Sequence, residues 1–172
     1  WMKTSGKRNR VLILTKVGAE MGPDKKGLKR DYIKASVEDS LKRLQTDVID
    51  LYQSHRDDET TPMQETLETY AELIAAGKIR AIGASNFSAE RLSEALEVSR
   101  THGLPRYECL QPRYNLYDRE DYEGALEALC LKENIGCIPY YGLASGFLTG
   151  KYRSAADFGK SQRGSRMGSY LN

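Results

Sequence analysis

The sequence is short of several things, and each shortage excludes a class of function. Its 26 Lys and Arg stand against 24 Asp and Glu, a net charge of only +2 over 172 residues. That field is too weak to hold nucleic acid or an anionic membrane by charge. The pairs Lys25-Lys26 and Lys29-Arg30 are flanked by Asp24 and Asp31 and read as a solvated face. No apolar run approaches the ~18 residues of a membrane span. No charged-then-apolar leader opens the chain, so no secretory signal is expected. There are three cysteines, Cys109, Cys130 and Cys137, with no C-x-x-C pair. They read as buried reduced thiols of a cytoplasmic protein, neither a disulfide framework nor a zinc site. No metal, nucleic acid or membrane partner is therefore expected.

What remains is a globular composition, 40% hydrophobic and 29% charged. Short apolar runs alternate with helical stretches. Strands are predicted at Val11–Lys16, Asp47–Gln53, Ile79–Gly83, Glu108–Gln111 and Gly136–Tyr140, with starts separated by 36, 32, 29 and 28 residues. Each step is the length of one βα unit, and runs without strict alternation suit strands buried on both faces. Between them, Ile33, Val37, Leu41 and Leu44 form one helical face. Thr61-Pro-Met-Gln64 reads as a capping box with Gly77 ending its helix, and Ser88 as an N-cap ahead of Leu92 and Leu96. Asp118 is expected to start a helix with Ala125, Leu126 and Leu129 facing inward. His102 reads as a cation at a helix C-terminus.

Regular alternation implies parallel strands with crossover helices. A doubly wound dinucleotide-binding sheet carries G-x-G-x-x-G after its first strand, and none follows Lys16 here. Eight units at this step would give roughly the 250 residues of a (β/α)8 barrel. The fold class is therefore α/β, an incomplete (β/α)8 TIM barrel. Residues 1–172 are read as one partial barrel domain. Trp1-Met-Lys-Thr looks like the tail of a helix, and the chain from Gly159 to Asn172 adds no further strand. Such an arc leaves open edges at its first and last strands, so self-association is possible.

The strand ends carry the chemistry. Lys16, His55, Ser85-Asn86, Gln111 and Tyr140 each stand at or just past one. In a barrel these ends ring one face, where barrel enzymes keep their sites. A lysine ending an apolar strand either snorkels to solvent or needs a carboxylate. Asp50 is one candidate partner, and a group outside the chain is another. His55 can polarise a carbonyl or move a proton. With Asp57 it would make only a weak metal set, as in a barrel hydrolase. Ser85, Asn86 and Gln111 offer both donors and acceptors, as a primary carboxamide requires. Tyr140 offers a flat face for an aromatic ring. The Gly-containing segment Leu143–Arg153 can bring N–H groups and Lys151 to a phosphate. Carboxamide, ring and phosphate together describe a nicotinamide dinucleotide.

At these residues the sequence resembles the aldo-keto reductase family, in its bacterial and potassium-channel-β-subunit-like branches. The resemblance runs from about Arg10 to Tyr152. Its motifs are Val11-Leu-Ile-Leu-Thr-Lys16, Asp50-Leu-Tyr-Gln-Ser-His55, Gly77-Lys-Ile-Arg-Ala-Ile-Gly-Ala-Ser-Asn-Phe87, Leu110-Gln-Pro-Arg-Tyr-Asn115 and Tyr140-Tyr-Gly-Leu-Ala-Ser-Gly-Phe-Leu-Thr-Gly-Lys-Tyr152. It implies NADPH-dependent reduction of small aldehydes or ketones on barrel strands three to seven. By resemblance, Lys16 is the lysine that lowers the catalytic tyrosine's pKa and His55 the histidine that orients the carbonyl. Ser85, Asn86 and Gln111 resemble the carboxamide ligands, and Tyr140 the ring-stacking residue. Tyr141 and Gly142 stand where the family often has Ser and Pro. Leu143, Ala144 and Ser145 resemble the pyrophosphate cradle, with Lys151 and Arg163 as cofactor-contacting cations. The tetrad Asp-x-x-x-x-Tyr-Gly segment and the eighth-strand adenosine site have no counterpart in these residues. The resemblance therefore assigns the proton-donating tyrosine to barrel units outside them, with Tyr52 and Tyr114 as the phenols inside that could replace it. The alternative is a non-catalytic module that binds the cofactor or a partner.

Overall fold

A computed structural model of the chain describes residues 2–23 and 25–170. Trp1 and Asp24 lie outside the described residues, as do Leu171 and Asn172. After a single helical turn, α1 (Met2–Ser5), the elements alternate as β1 (Leu14–Val17), α2 (Arg30–Leu44), β2 (Ile49–Ser54), α3 (Met63–Ala75), β3 (Ile79–Ser85), α4 (Ala89–His102), β4 (Tyr107–Gln111), α5 (Ala125–Glu133) and β5 (Gly136–Cys137). Three 3-10 segments follow, Ala144–Thr149, Ala155–Lys160 and Gly164–Tyr170.

The strands pair in parallel in the order β1-β2-β3-β4-β5. A doubly wound sheet reverses its order at a switch point. This order never reverses, which is the arrangement of part of a (β/α)8 barrel. Among the described residues β1 and β5 each have one strand neighbour.

Register sorts the side chains into two sets. Lys16, Gln53, Gly83, Cys109 and Gly136 stand in one row across the sheet. The next row is Val17, Ser54, Ala84, Leu110 and Cys137, on the opposite face. That second face meets the helices. There Ile33 and Val37 of α2, Leu67 and Tyr70 of α3 and Leu92 of α4 are completely buried against Tyr52, Ile82, Tyr107 and Leu110. The Ser54 hydroxyl bonds the Tyr70 hydroxyl at 2.8 Å and the Tyr107 hydroxyl at 2.9 Å, a polar knot inside the apolar layer. Burial raises both phenols well above their ordinary value. The register slips between Ile82 and Gly83, leaving Glu108 as an extra, exposed residue of β4. That bulge lets Tyr107 face the helices while Cys109, two residues on, faces the other way.

Four expectations need correction. The first strand was predicted from Val11 but begins at Leu14. Val11 and Leu12 are exposed, and the Ile13 N–H is taken by the Asp50 carboxylate at 2.8 Å. The last strand was predicted to reach Tyr140 but ends at Cys137. Pro139 has no N–H to donate, and Tyr140 rejoins only through an isolated bridge to Arg113. The Thr61–Gln64 capping box does not form: Pro62 occupies the N-cap, and the Thr61 hydroxyl donates to Asp58 at 2.7 Å. Asp118 starts no helix; α5 follows Gly124, and Ala125 is exposed while Leu126 and Cys130 are buried. The Ser88 cap does form, accepting from the Arg91 N–H at 3.2 Å. His102 stands in the last turn of α4.

Candidate functional site

Lys16, His55, Ser85, Asn86, Gln111, Tyr140 and Tyr141 line one cleft of about 700 Å³ at the carboxyl ends of the strands. They come from five consecutive βα units, and the parallel order gathers them. The bottom of the sheet is closed differently. Asp50 pairs with Arg8 and Arg80, each at 2.8 Å, besides accepting from Ile13. Burial alone would raise the Asp50 carboxyl. The Ile13 N–H and the two guanidiniums outweigh it and hold the group below its ordinary value. Asp50 is therefore not the partner of Lys16, which stands opposite Gln53 and forms no ion pair among the described residues.

The cleft floor is a connected polar network. Asn86 takes a left-handed backbone, φ 56°, at the turn after β3. Its side-chain N–H groups reach the His55 carbonyl at 2.9 Å and the Ser85 hydroxyl at 3.0 Å. Its side-chain oxygen accepts from the Tyr140 hydroxyl at 2.7 Å. Ser85 in turn donates to the Gln111 carbonyl at 2.8 Å. One acceptor of the cleft is left over: the buried side-chain oxygen of Gln111 has no partner. An unpaired buried acceptor is expensive unless a ligand or water supplies a donor.

Burial first, then the nearby Lys16 and Arg56 charges, pushes the His55 imidazole below its ordinary 6.5. At neutral pH it is uncharged and carries one ring N–H donor. Burial raises the Tyr140 phenol above its ordinary 10.0, with Arg113 and Arg56 pulling against that. Neither Tyr52 nor Tyr114 reaches this cleft. Tyr52 is completely buried on the helix side, and the Tyr114 hydroxyl donates to Glu123 at 2.6 Å.

The segment after Tyr140 stands apart. Gly142, Leu143, Ala144, Ser145, Lys151 and Arg163 do not line the cleft. Tyr141, Ala144 and Ser145 all have positive φ, at 60°, 47° and 57°, a concentration of strained backbone just past the last strand. The Ala144 N–H, one of the expected cradle, closes on the Tyr141 carbonyl, and the Gly146 N–H closes on the Leu143 carbonyl, so the Ala144 donor is engaged within the turn. Ala144 and Ser145 are buried, and the Lys151 ammonium lies 5.0 Å from the centre of the Tyr152 ring. Arg163 is exposed, and its backbone N–H donates to the Ser161 hydroxyl.

Sequence reasoning missed Arg56, Phe87, Pro112, Arg113 and Asp121 as cleft-lining residues. Arg56 directly follows His55, and Arg113 lies inside the Leu110–Asn115 motif, so adjacency was the available signal. Asp57 is held by Arg91 through both oxygens, at 2.6 and 3.0 Å. Among the described residues no three His, Cys, Asp or Glu gather as a metal set, so the hydrolase alternative finds no support. Cys109 and Cys130 are buried free thiols, raised to about 11 by burial; Cys137 is free and half-buried. No helix among the described residues is long and apolar enough to cross a membrane.

Comparison with known proteins gives a consistent answer. The family model described as "Aldo/keto reductase family" matches residues 1–170. The chain is 40% identical over 148 residues to L-glyceraldehyde 3-phosphate reductase of Escherichia coli, covering 84% of this chain and 42% of that protein. It is 35% identical over 162 residues to the Schizosaccharomyces pombe aldo-keto reductase yakc [NADP(+)], covering 92% and 46%. It is also 37% identical over 147 residues to a probable voltage-gated potassium channel subunit beta of rice, covering 85% and 45%. The chain thus spans a little under half the length of these relatives.

Proposed function

Because the chain belongs to the aldo/keto reductase family, we propose that it is the central arc of an NADPH-dependent reductase of small aldehydes and ketones. In this reading the cleft at the strand ends holds the nicotinamide and the substrate carbonyl. The observation that carries it is the joint placement of Lys16, His55, Ser85, Asn86, Gln111 and Tyr140 around one opening.

The donor set fits a nicotinamide carboxamide. The unpaired Gln111 oxygen is an acceptor for an amide N–H, and the Asn86 oxygen becomes available if the Tyr140 hydroxyl releases it. Lys151 and Arg163 are the cations assigned to the cofactor's phosphates. NADPH, when bound, supplies the hydride.

The chain's own residues prepare the carbonyl. His55, held uncharged, donates its ring N–H to the carbonyl oxygen and fixes its direction. Asn86 anchors the His55 backbone through the 2.9 Å bond and so sets where the imidazole stands. Lys16 places a positive charge beside the oxygen as negative charge develops there. It also lowers the pKa of the tyrosine that delivers the proton, which by family resemblance comes from barrel units outside these residues.

The test is NADPH oxidation followed by absorbance on a panel of aldehydes and ketones, using the full-length protein. Lys16→Met should reduce turnover by ~10²–10⁴-fold, the range for loss of positioned acid–base assistance, with NADPH affinity nearly unchanged. Gln111→Leu should do the reverse, weakening NADPH more than turnover. Retained NADPH binding with no carbonyl reduced would sink the reductase reading. It would favour a non-catalytic, partner-binding role, for which the channel-subunit relative is the precedent.

A further inference from the structure

The loop after β2 begins His55-Arg56-Asp57-Asp58, one cation between a neutral imidazole and two acids. The obvious expectation is that Arg56 is neutralised by its neighbours. It is not. Both Asp57 oxygens are turned onto Arg91 of α4. Asp58 accepts from the Leu28 N–H at 2.7 Å, from Thr60 through its N–H at 3.0 Å and its hydroxyl at 2.6 Å, and from the Thr61 hydroxyl at 2.7 Å. Asp121, across the cleft, pairs with Arg113 at 2.8 Å. Asp57, Asp58 and Asp121 are therefore committed elsewhere, and among the described residues nothing pairs with the exposed Arg56 guanidinium.

Its position gives that isolation a use. Arg56 lines the 700 Å³ cleft beside Lys16 and His55. It also lines a neighbouring opening of about 1490 Å³, shared by Gly18, Ala19 and Gly27 after β1, by the start of α2, and by Asp57, Asp58 and Thr60. That second opening is mixed in charge, with Lys26 and Lys29 beside Glu20, Asp31 and Glu65, so it is the cleft shared with Lys16, not this opening, that would draw an anion. The backbone that carries Arg56 is fixed on both sides: the His55 carbonyl is tied to Asn86, and Asp58 is tied by four bonds. Arg56 follows His55 directly in the chain and lines the same cleft, which places its charge beside the proposed carbonyl site. A planar, unpaired guanidinium at the rim of a site matches a carboxylate or phosphate better than any neutral group.

We infer that Arg56 is the anion-recognising residue of the substrate site, and that this protein prefers carbonyl substrates bearing a carboxylate or phosphate over neutral ones of the same skeleton. The inference rests on the reductase reading for the site it serves, and its test separates the two. Steady-state kinetics of the full-length protein would compare a semialdehyde carrying a carboxylate, an aldehyde carrying a phosphate, and the neutral aldehyde matching each. The parent should favour at least one anionic substrate in kcat/KM. Arg56→Gln should lower the anionic-to-neutral ratio of kcat/KM by about tenfold or more, the scale of one charge-assisted contact, and Arg56→Lys should restore part of it. Which anion loses more tells carboxylate from phosphate. In parallel, inorganic phosphate would be titrated while the His55 imidazole is followed by NMR in the parent and Arg56→Gln. A phosphate response lost in Arg56→Gln is expected. An unchanged substrate ratio, or the same phosphate response in both proteins, overturns the inference. If no carbonyl is reduced at all, the reductase reading falls, and the phosphate titration alone decides the role of Arg56.

Discussion

Two regions of the molecule meet at the cleft, and they are held by different means. From β1 to the end of α5, a continuous apolar layer lies between sheet and helices, with Ile33, Val37, Ile49, Leu67 and Leu110 fully buried. From Tyr140 to Tyr170 there is no strand and no α-helix, only turns and 3-10 segments. That second region docks through rings and one polar hub. Tyr117, Phe147 and Tyr170 lie with centroids 5.1–5.5 Å apart. Asn115 accepts from the Tyr117 and Asp118 N–H groups and donates to Asp118 and to the Tyr141 carbonyl. Tyr170 closes the hub by donating to Asp118 at 2.9 Å. Residues assigned to carbonyl chemistry, Lys16 and His55, stand on or beside the rigid part. Residues assigned to the cofactor's phosphates, Leu143 to Ser145, Lys151 and Arg163, stand on the other. On the proposed reading, the carbonyl chemistry would stand on the sheet and the phosphate contacts on turns.

The largest expected effect breaks the rigid region. Leu67→Ala should destabilise the protein by about 2–5 kcal/mol in denaturant unfolding, whereas Leu143→Ala, at 60% exposed, should change it by no more than about 0.5 kcal/mol. Equal effects would erase the comparison. Next comes overpacking at Gly83. A Cβ there would lie 2.6 Å from the Cys109 sulfur and 3.1 Å from Gln53 Cγ, so Gly83→Ala should cost about 1–3 kcal/mol.

A subtler change separates the regions. Asn115→Ala removes the hub and should speed amide exchange across residues 144–170 while leaving β2 amides protected, with a local cost of about 1–3 kcal/mol. Uniformly faster exchange would mean the two regions are one cooperative unit. The smallest effect is pH-dependent. Burial would raise the Asp58 carboxyl, but the bonds from Thr60, Leu28 and Thr61 outweigh it and hold the group at about 2, below its ordinary 3.8. Its contribution is therefore complete above pH 3.8 and lost as pH falls toward 2. Asp58→Asn should flatten the stability profile across that window and leave it unchanged in slope near neutrality.

Much of this could be read from the chain. The βα steps gave five parallel strands in order, and a polar residue at each strand end anticipated the ring around the cleft. Ser88 was legible as a cap because capping is local chemistry. What escaped was long-range. Nothing in the sequence says that Asp50 turns to Arg8 and Arg80 instead of Lys16, since that choice depends on the register of β1 against β2, which sets Lys16 opposite Gln53. The Glu108 bulge cannot be read from β4 alone, because it is a property of two strands. Pro139 removes the N–H that would carry β5 onward, while the apolar residues around it mimic a longer strand. Arg56 draws no reading in the sequence, and only the positions of Arg91, Thr60 and Thr61 show that Asp57 and Asp58 are turned away from it.

The three thiols offer an experimental handle. Cys109 sits under Gly83 and Cys130 inside α5, both buried and both raised to about 11, so neither is a ready nucleophile at neutral pH. Cys137, half-buried on the outermost strand, is the one left for a maleimide dye. Because β5 leads directly into Tyr140, a fluorophore there would report on the border between the sheet-and-helix region and the region of turns that follows it.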